Sequence, residues 1–462
     1  MGEAMDEGLI EKIEGLARQK LADHRLPGLA LGVVRENQLI WFGGFGRQNL
    51  DRTEAPHQDS LARIASVTKT FTTTAILQLR DEGKLGLEDP LSRHIPEFAK
   101  VNVRAGEMSK VTLRRLLTHH SGLVTEAPLP GWQALNFPTM ASLLEALAET
   151  EIVIDQDAAW KYSNLAFALL GEVVHRVLGV PYERYVKVNI LDPLGMGSTV
   201  FDLDDDSRQK FLTGYGPTPY QDYPSQAAYA HLNGLSAAGQ LHSSVADLAR
   251  WVAFQFREAG GDRGTEQVLS GRSLSEMHRP VYMAADWSSG QCLGWRATRI
   301  GDRVYHNHGG GIHGFATQVC FNVPRKTGVI QFINMWPPSG GQELAMEVLE
   351  LLLSGSVTAQ EIPQATLSPV PGIYEDFLGP YLAEPGIWVS VEWRDGNLRL
   401  VVPAGQAYSL HAPAVLLPDG VNDTFRVVGG RGAGEQVVFE RHNGRVSHYE
   451  LGAFVFKKLT GR

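Results

Sequence analysis

Strand signals cluster at residues 29–42 and, after a short strand-like Leu61–Ala65, return beyond residue 290, while the chain between reads mostly as helix. Leu29–Val34 and Leu39–Phe42 are β-branched and aromatic runs around the turn Arg35–Gln38. Leu293–Ile300, Arg303–His306, Phe315–Phe321 and Gly328–Asn334 have the same character. Helical spacing fills the interval at Ser66–Glu82, Leu113–Thr118, Ser142–Thr150, Asn164–Leu178, Tyr182–Ile190 and Ser244–Glu258, broken by Gly and Pro. Strands must bury a face against something, so the two distant groups predict one mixed sheet with a helical subdomain inserted in the connection. Helices Glu7–Asp23 and Gln342–Leu353 flank the arrangement.

The pattern changes after Ser354. Pro363, Pro369 and Pro371 mark residues 356–371 as a linker. Beyond it, short strands alternate with turns such as Asp395-Gly396 and Asn443-Gly444, the mark of an antiparallel sandwich or small up-and-down barrel over residues 372–462. The expected division is therefore 1–355, with a sheet lobe at about 1–80 and 290–355 and a helical lobe at about 81–289, then the linker, then the β-domain.

Composition narrows the function classes. A chain of 462 residues that is 43% hydrophobic and 20% charged is not disordered. Its net charge of -9 argues against a nucleic-acid surface. No uncharged apolar run reaches the roughly 18 residues a membrane span needs. The acidic start lacks the basic and apolar regions of a signal peptide, and Asp6 stands where a myristoylation signal requires Ser or Thr. Cys292 and Cys320 form neither a disulfide framework nor a zinc site. These features predict a cytoplasmic protein with no membrane or nucleic-acid partner and no cofactor.

Three short motifs have the residue types of nucleophilic catalysis. In Ser66-Val67-Thr68-Lys69, a serine opening a helix shares a face with a lysine three residues on. Partial burial disfavours the lysine's charge and lets the amine accept a proton. The structural alternative is a serine that only caps the helix. Ser207-Arg208-Gln209-Lys210 fits the same pattern, but it follows three aspartates and reads as a solvated helix start. In Tyr162-Ser163-Asn164 a phenol near a cationic lysine is a candidate general base, and the Asn164 amide could hold a carbonyl. Tyr305-His306-Asn307 repeats these letters. In His308-Gly309-Gly310-Gly311, placed between two strands, consecutive glycines would let a substrate approach the backbone and leave N–H groups for an oxyanion. Gly309–Gly314 also fits G-x-G-x-x-G, but a strand follows where a dinucleotide site needs a helix. His119, His120, His306, His308 and His313 lack acidic or cysteine partners at metal-ligand spacing, so no metal is expected. No G-x-S-x-G elbow occurs.

The order S-x-x-K, Y-x-N, H-x-G over about 240 residues is far more specific than any one piece. Together with Leu116–Leu123, Tyr162–Gly171, Pro193–Met196, Gly239–Trp251 and His308–Phe315, it resembles the serine β-lactamase and penicillin-binding-protein superfamily. Within it the chain is most similar to the class C-like branch, which holds family VIII carboxylesterases and D-aminopeptidase-type hydrolases. The resemblance implies an α+β fold: an antiparallel sheet flanked by helices, an inserted all-helical subdomain and a C-terminal lipocalin-like barrel. It also implies that Ser66 is the acylated nucleophile, Lys69 its base or proton shuttle, and Tyr162 the base that also protonates the leaving group. Asn164 would position substrate, and the Ser66 and Gly311 amides would form the oxyanion hole. His308 and Gly309 stand where lactamases carry the Lys and Thr of K-T-G, which disfavours strong lactamase activity. An ester or short-peptide substrate follows, with a carboxylesterase first. A D-amino-acid peptidase or amidase, a weak β-lactamase and an inactive ligand-binding protein are the alternatives, and homo-oligomerisation is left open.

Overall fold

Alternation along the first strand decides which way the sheet faces. The computed structural model describes residues 5–132, 134–217, 223–257, 268–338, 340–355, 369–383, 386–402 and 413–459. In β1 (Gly28–Arg35), Leu29, Leu31 and Val33 join one core while Ala30 and Val34 join the other. Helices α1 (Glu7–Asp23) and, near residue 350, Leu344–Ser354 cover the first face through Ile13, Ala17, Leu344 and Val348. The long segment between the strand groups supplies the second face. There Gly32 leaves room for Val245, whose methyl would lie 2.4 Å from any Cβ placed at that glycine.

β2 (Gln38–Gly46) stands at one edge of an eight-stranded sheet, beside β1. The other members are β3 (Tyr282–Met283), β4 (Ser289–Gln291), β5 (Arg296–Ile300), β6 (Arg303–Ile312), β7 (Phe315–Asn322) and β8 (Thr327–Ile333). They run in the order β2-β1-β8-β7-β6-β5-β4-β3. Every pairing is antiparallel, including Leu29 opposite Ile333, so the sheet is not mixed. Short connections between neighbours after residue 282 enforce this, because parallel neighbours need a crossover of a dozen residues or more.

Two helices hold the residues of the candidate motifs. The first is α2 (Thr68–Asp81), which reads Thr70-Phe-Thr-Thr-Thr-Ala and has poor intrinsic helix propensity. Burial overrides propensity: Thr70, Thr73 and Thr74 are enclosed and donate back to the carbonyls of Val67, Lys69 and Thr70. The second, α3 (Asn164–Leu178), begins where expected. The Ser163 hydroxyl accepts from the Ala166 N–H at 2.9 Å, and Gly179 closes the helix in the left-handed conformation. The helix expected at Ser244–Glu258 runs Val245–Phe254; residue 258 lies outside the described residues.

The C-terminal strands close into a barrel whose eight members follow chain order. They are β9 (Gly379–Ala383), β10 (Ile387–Arg394), β11 (Asn397–Val401), β12 (Ala414–Pro418), β13 (Thr424–Val428), β14 (Gln436–His442), β15 (Arg445–Leu451) and β16 (Phe454–Lys458). The sequence pattern gave no sign of β9, a five-residue strand carrying Pro380, yet it closes the barrel by pairing with β16 at Tyr381–Lys458. Of the expected linker, residues 356–368 lie outside the described residues, and Pro369–Pro371 lead into a turn at Gly372–Phe377.

Candidate active site

The serine sits on a strained turn. Ala65 has φ +46°, a conformation costly for a residue with a Cβ, and the one-turn helix Ala65–Val67 that holds Ser66 then leads into α2. The turn is held from both sides. The Ile64 N–H donates to the Leu241 carbonyl at 3.0 Å, and Gly310 of β6 packs against Ile64 and Ala65. Neither Ile64 nor Val67, the residues at the cap positions, makes a side-chain cap, and Ser66 itself is not the helix cap.

Lys69 lies one turn further on, fully buried, with its Nζ 3.2 Å from the Ser66 Oγ. The same amine donates to Asn164 Oδ1 at 2.8 Å and to the Ala238 carbonyl at 2.6 Å. A neutral amine has two N–H bonds, and these two acceptors use both, which leaves its lone pair for the serine hydroxyl. Burial pushes the Lys69 ammonium well below its ordinary ionisation range; Arg431 adds to this and Glu126 opposes it. Tyr162 donates its phenol O–H to Ser66 Oγ at 2.7 Å. Burial raises that phenol to about 12, against the pull of Arg431. These directions favour a neutral amine beside a protonated phenol, rather than a phenolate beside an ammonium.

Asn164 bridges Lys69 to Glu126. Its Nδ2 donates to Glu126 Oε1 at 2.5 Å, and burial raises the Glu126 carboxyl. His119 packs 4.4 Å from the Tyr162 ring between centroids and accepts from the Ser163 N–H at 3.1 Å. Burial, then Lys69, hold His119 well below the usual histidine range, so it is neutral. Ser163 is thus the helix cap, and the residues on either side of it contact Ser66 and Lys69.

The glycine run is not a loop between strands. His308–Gly311 lie within β6, which extends through Ile312 and pairs with β7 from His306 opposite Phe321 to Ile312 opposite Phe315. Three glycines give poor strand propensity, but side chains are excluded here. A Cβ on Gly310 would lie 2.2 Å from the Ile64 carbonyl, and one on Gly311 would lie 2.1 Å from Trp336 Nε1. β5 begins at Arg296, opposite Asn307, so among the described residues the far edge of 308–312 has no strand neighbour. His308, Gly309, Gly310 and Gly311 line a cleft of about 200 Å3 with Ser66, Tyr162 and Asn164. Loss of solvation and then Lys69 push His308 down to about 4, and its Nδ1 lies 2.8 Å from the Gly309 carbonyl.

The barrel also contributes to this cleft, through residues the sequence motifs do not contain. Arg431, on the loop between β13 and β14, lies over the Tyr162 ring with its guanidinium carbon 4.8 Å from the centroid, and its Nη2 is 3.6 Å from Glu126 Oε1. Phe454 of β16 reaches the same cleft. The loop is pinned by a buried ion pair between Glu435 and Lys161, the residue before Tyr162. Lys161 also donates to Thr125 Oγ1 at 2.8 Å and to the Arg431 carbonyl at 2.9 Å. One signal was available in the sequence: a lone arginine among Gly429, Gly430, Gly432 and Gly434.

The repeated motifs do other work. Ser207 starts a short helix with Asp204, donating to its carboxylate at 2.7 Å. Tyr305 is buried and donates to Glu350 in the opposite core. His306 stacks on Phe321 and His313 lies between Trp132 and Trp336, and no three metal-ligating side chains converge among the described residues. Among these residues, too, no single helix is long and apolar enough to cross a membrane. Both cysteines are buried and unbridged.

Comparison with known proteins bears on the fold and the family. Beta-lactamase-like protein 2 of Dictyostelium discoideum is 26% identical over 378 residues, 78% of this chain and 67% of that protein. The chain spans between about half and two thirds of the length of the curated relatives it matches. In fold, it is similar over 98% of its length to all of an octameric penicillin-binding protein homologue from Pyrococcus abyssi, with a TM-score of 0.64 and 23% identity. A D-stereospecific amidohydrolase from Streptomyces sp. matches 74% of the chain across 99% of its own, with a TM-score of 0.61 and 24% identity. The sequence model of the Beta-lactamase family matches residues 13–353, the whole span from the first flanking helix to the last, and the chain therefore belongs to that family.

Proposed function

We propose that this chain is a carboxylesterase that works through an acyl-enzyme on Ser66, with residues 1–355 as the hydrolase unit and 372–462 as an appended barrel. The observation that carries the reading is the pair of contacts on one oxygen: Lys69 Nζ at 3.2 Å and Tyr162 Oη at 2.7 Å from Ser66 Oγ. As Ser66 attacks an ester carbonyl, its proton passes to the neutral Lys69 amine. The oxyanion collects at the backbone N–H groups of Ser66 and Gly311. The C–O bond then breaks, Tyr162 gives its proton to the departing alkoxide, and the Lys69 ammonium restores it. Water enters by the reverse route and releases the acid. Asn164 holds Lys69 and the substrate carbonyl; His308, Gly309 and Gly310 form the ledge along which the acyl group lies.

The buried, unbridged thiols of Cys292 and Cys320 support a cytoplasmic location. The octameric homologue favours a homo-oligomer. A second reading, an amidase for D-amino-acid peptides, is favoured by the likeness to the Streptomyces amidohydrolase. The reading is tested by Ser66→Ala, which should abolish hydrolysis of a short-chain p-nitrophenyl ester with the circular dichroism spectrum unchanged, while Ser207→Ala retains full activity. Full activity in Ser66→Ala would refute it. Side-by-side rates on that ester and on a D-alanyl amide separate the esterase from the amidase.

A further inference from the structure

The barrel holds a chamber of its own, about 200 Å3 in volume. Its walls are apolar, built from Ile387, Val389, Leu400, Val427, Leu451 and Phe456. Eight-stranded barrels are just wide enough to be filled by side chains or to hold one small ligand, and an apolar cavity of comparable size takes a benzene-sized guest. Tyr449 lines this chamber fully buried, and its hydroxyl has no hydrogen-bond partner among the described residues.

The chamber adjoins the catalytic unit. Thr125 and Glu126 line it from that side, and Arg431 and Phe454 line both the chamber and the cleft at Ser66. The shared wall lies on a particular side of the nucleophile. Arg431 covers the ring of Tyr162, the group that hands its proton to the departing oxygen, and a proton donor has to lie beside the atom that leaves. The ledge of β6 lines the same cleft but not the chamber.

We propose that the barrel chamber is a leaving-group subsite, which takes the apolar arm of the alcohol while the carbonyl sits at Ser66. This rests on the esterase reading and names its substrate class: esters of apolar alcohols, selected by the alcohol rather than by the acid.

Acetate esters of methanol, butan-1-ol and hexan-1-ol test it on the full chain, beside an acyl series on one alcohol. The expected result is a rise in kcat/KM of about fourfold per added methylene along the alcohol series, lost in Val427→Trp and in the milder Ala414→Phe, both at positions in the chamber wall. A flat alcohol series, or a rise that survives both chamber-filling variants, overturns the proposal. Binding separates this from failure of the esterase reading. Hexan-1-ol titrated into the Ser66→Ala protein, followed by calorimetry, should bind, and should not bind when Ala414→Phe is added. Equal binding with and without Ala414→Phe overturns the subsite whether or not any ester is turned over.

Discussion

The Lys69 amine is fully buried, with two carbonyl-type oxygens at 2.6 and 2.8 Å and a serine hydroxyl at 3.2 Å. Desolvation there disfavours the ammonium, so the neutral base is present above a lowered ionisation and lost as the pH falls through it. The phenol works in the opposite sense. Tyr162, raised to about 12, keeps its proton well into the alkaline range. Under the proposed mechanism kcat/KM therefore rises through a single acid limb and stays level past pH 10, about two units below that value. A descending limb near neutrality, read in stopped-flow assays, would contradict this. Tyr162→Phe should cost about 100- to 10,000-fold in kcat with the ascending limb in place. Ser66, Lys69, Tyr162 and Asn164 were legible in the sequence because each motif is local and its helix start is encoded nearby, as Ser163 shows. The protonation pattern was not: a phenol near lysine suggests a phenolate until the burial of both is known. Glu126 and Arg431 were missed because neither belongs to a local motif and each acts from another loop.

At the scale of elements, the glycine strand and the turn that holds Ser66 are one assembly. Sequence patterns place 308–311 between strands, since propensity argues against three glycines inside one. The strand continues because the Ile64 carbonyl and Trp336 occupy the space that Cβ atoms would need. Gly310→Ala should therefore push the turn and move Ser66. We expect a folded protein about 1–3 kcal/mol less stable, with kcat lower by roughly 100-fold, as measured by urea unfolding and ester turnover on the same sample. Wild-type kcat in Gly310→Ala would show that the contact is slack. The threonine-rich α2 makes the same point about propensity, because buried threonines that bond back to the helix carbonyls tolerate a conformation their sequence disfavours. The wholly antiparallel sheet follows from short connections, which residue patterns alone did not fix.

For the whole molecule, the question is how a barrel at the end of the chain comes to wall a cleft built from residues 66–311. The joint is the Lys161–Glu435 pair, with Lys161 fully buried beside the Thr125 hydroxyl. Removing one partner of a buried pair leaves the other charge unpaired, at a cost of about 3–5 kcal/mol. Glu435→Ala should lower stability by that order in denaturant unfolding and loosen the barrel to limited proteolysis. Pairing Lys161→Met with Glu435→Leu should recover most of the loss; two losses that simply add would show that the residues act separately. The barrel itself was legible from its turn spacing. Its place over the active site was not, because a docking contact between distant segments leaves no period in the sequence.

The central claim, that Ser66 is the acylated nucleophile, is tested most directly by labelling the intact protein with a fluorophosphonate and mapping the adduct by peptide mass spectrometry. A single adduct on the peptide that contains Ser66, absent from Ser66→Ala, is the predicted result. No adduct, or one on a different serine, would contradict the account.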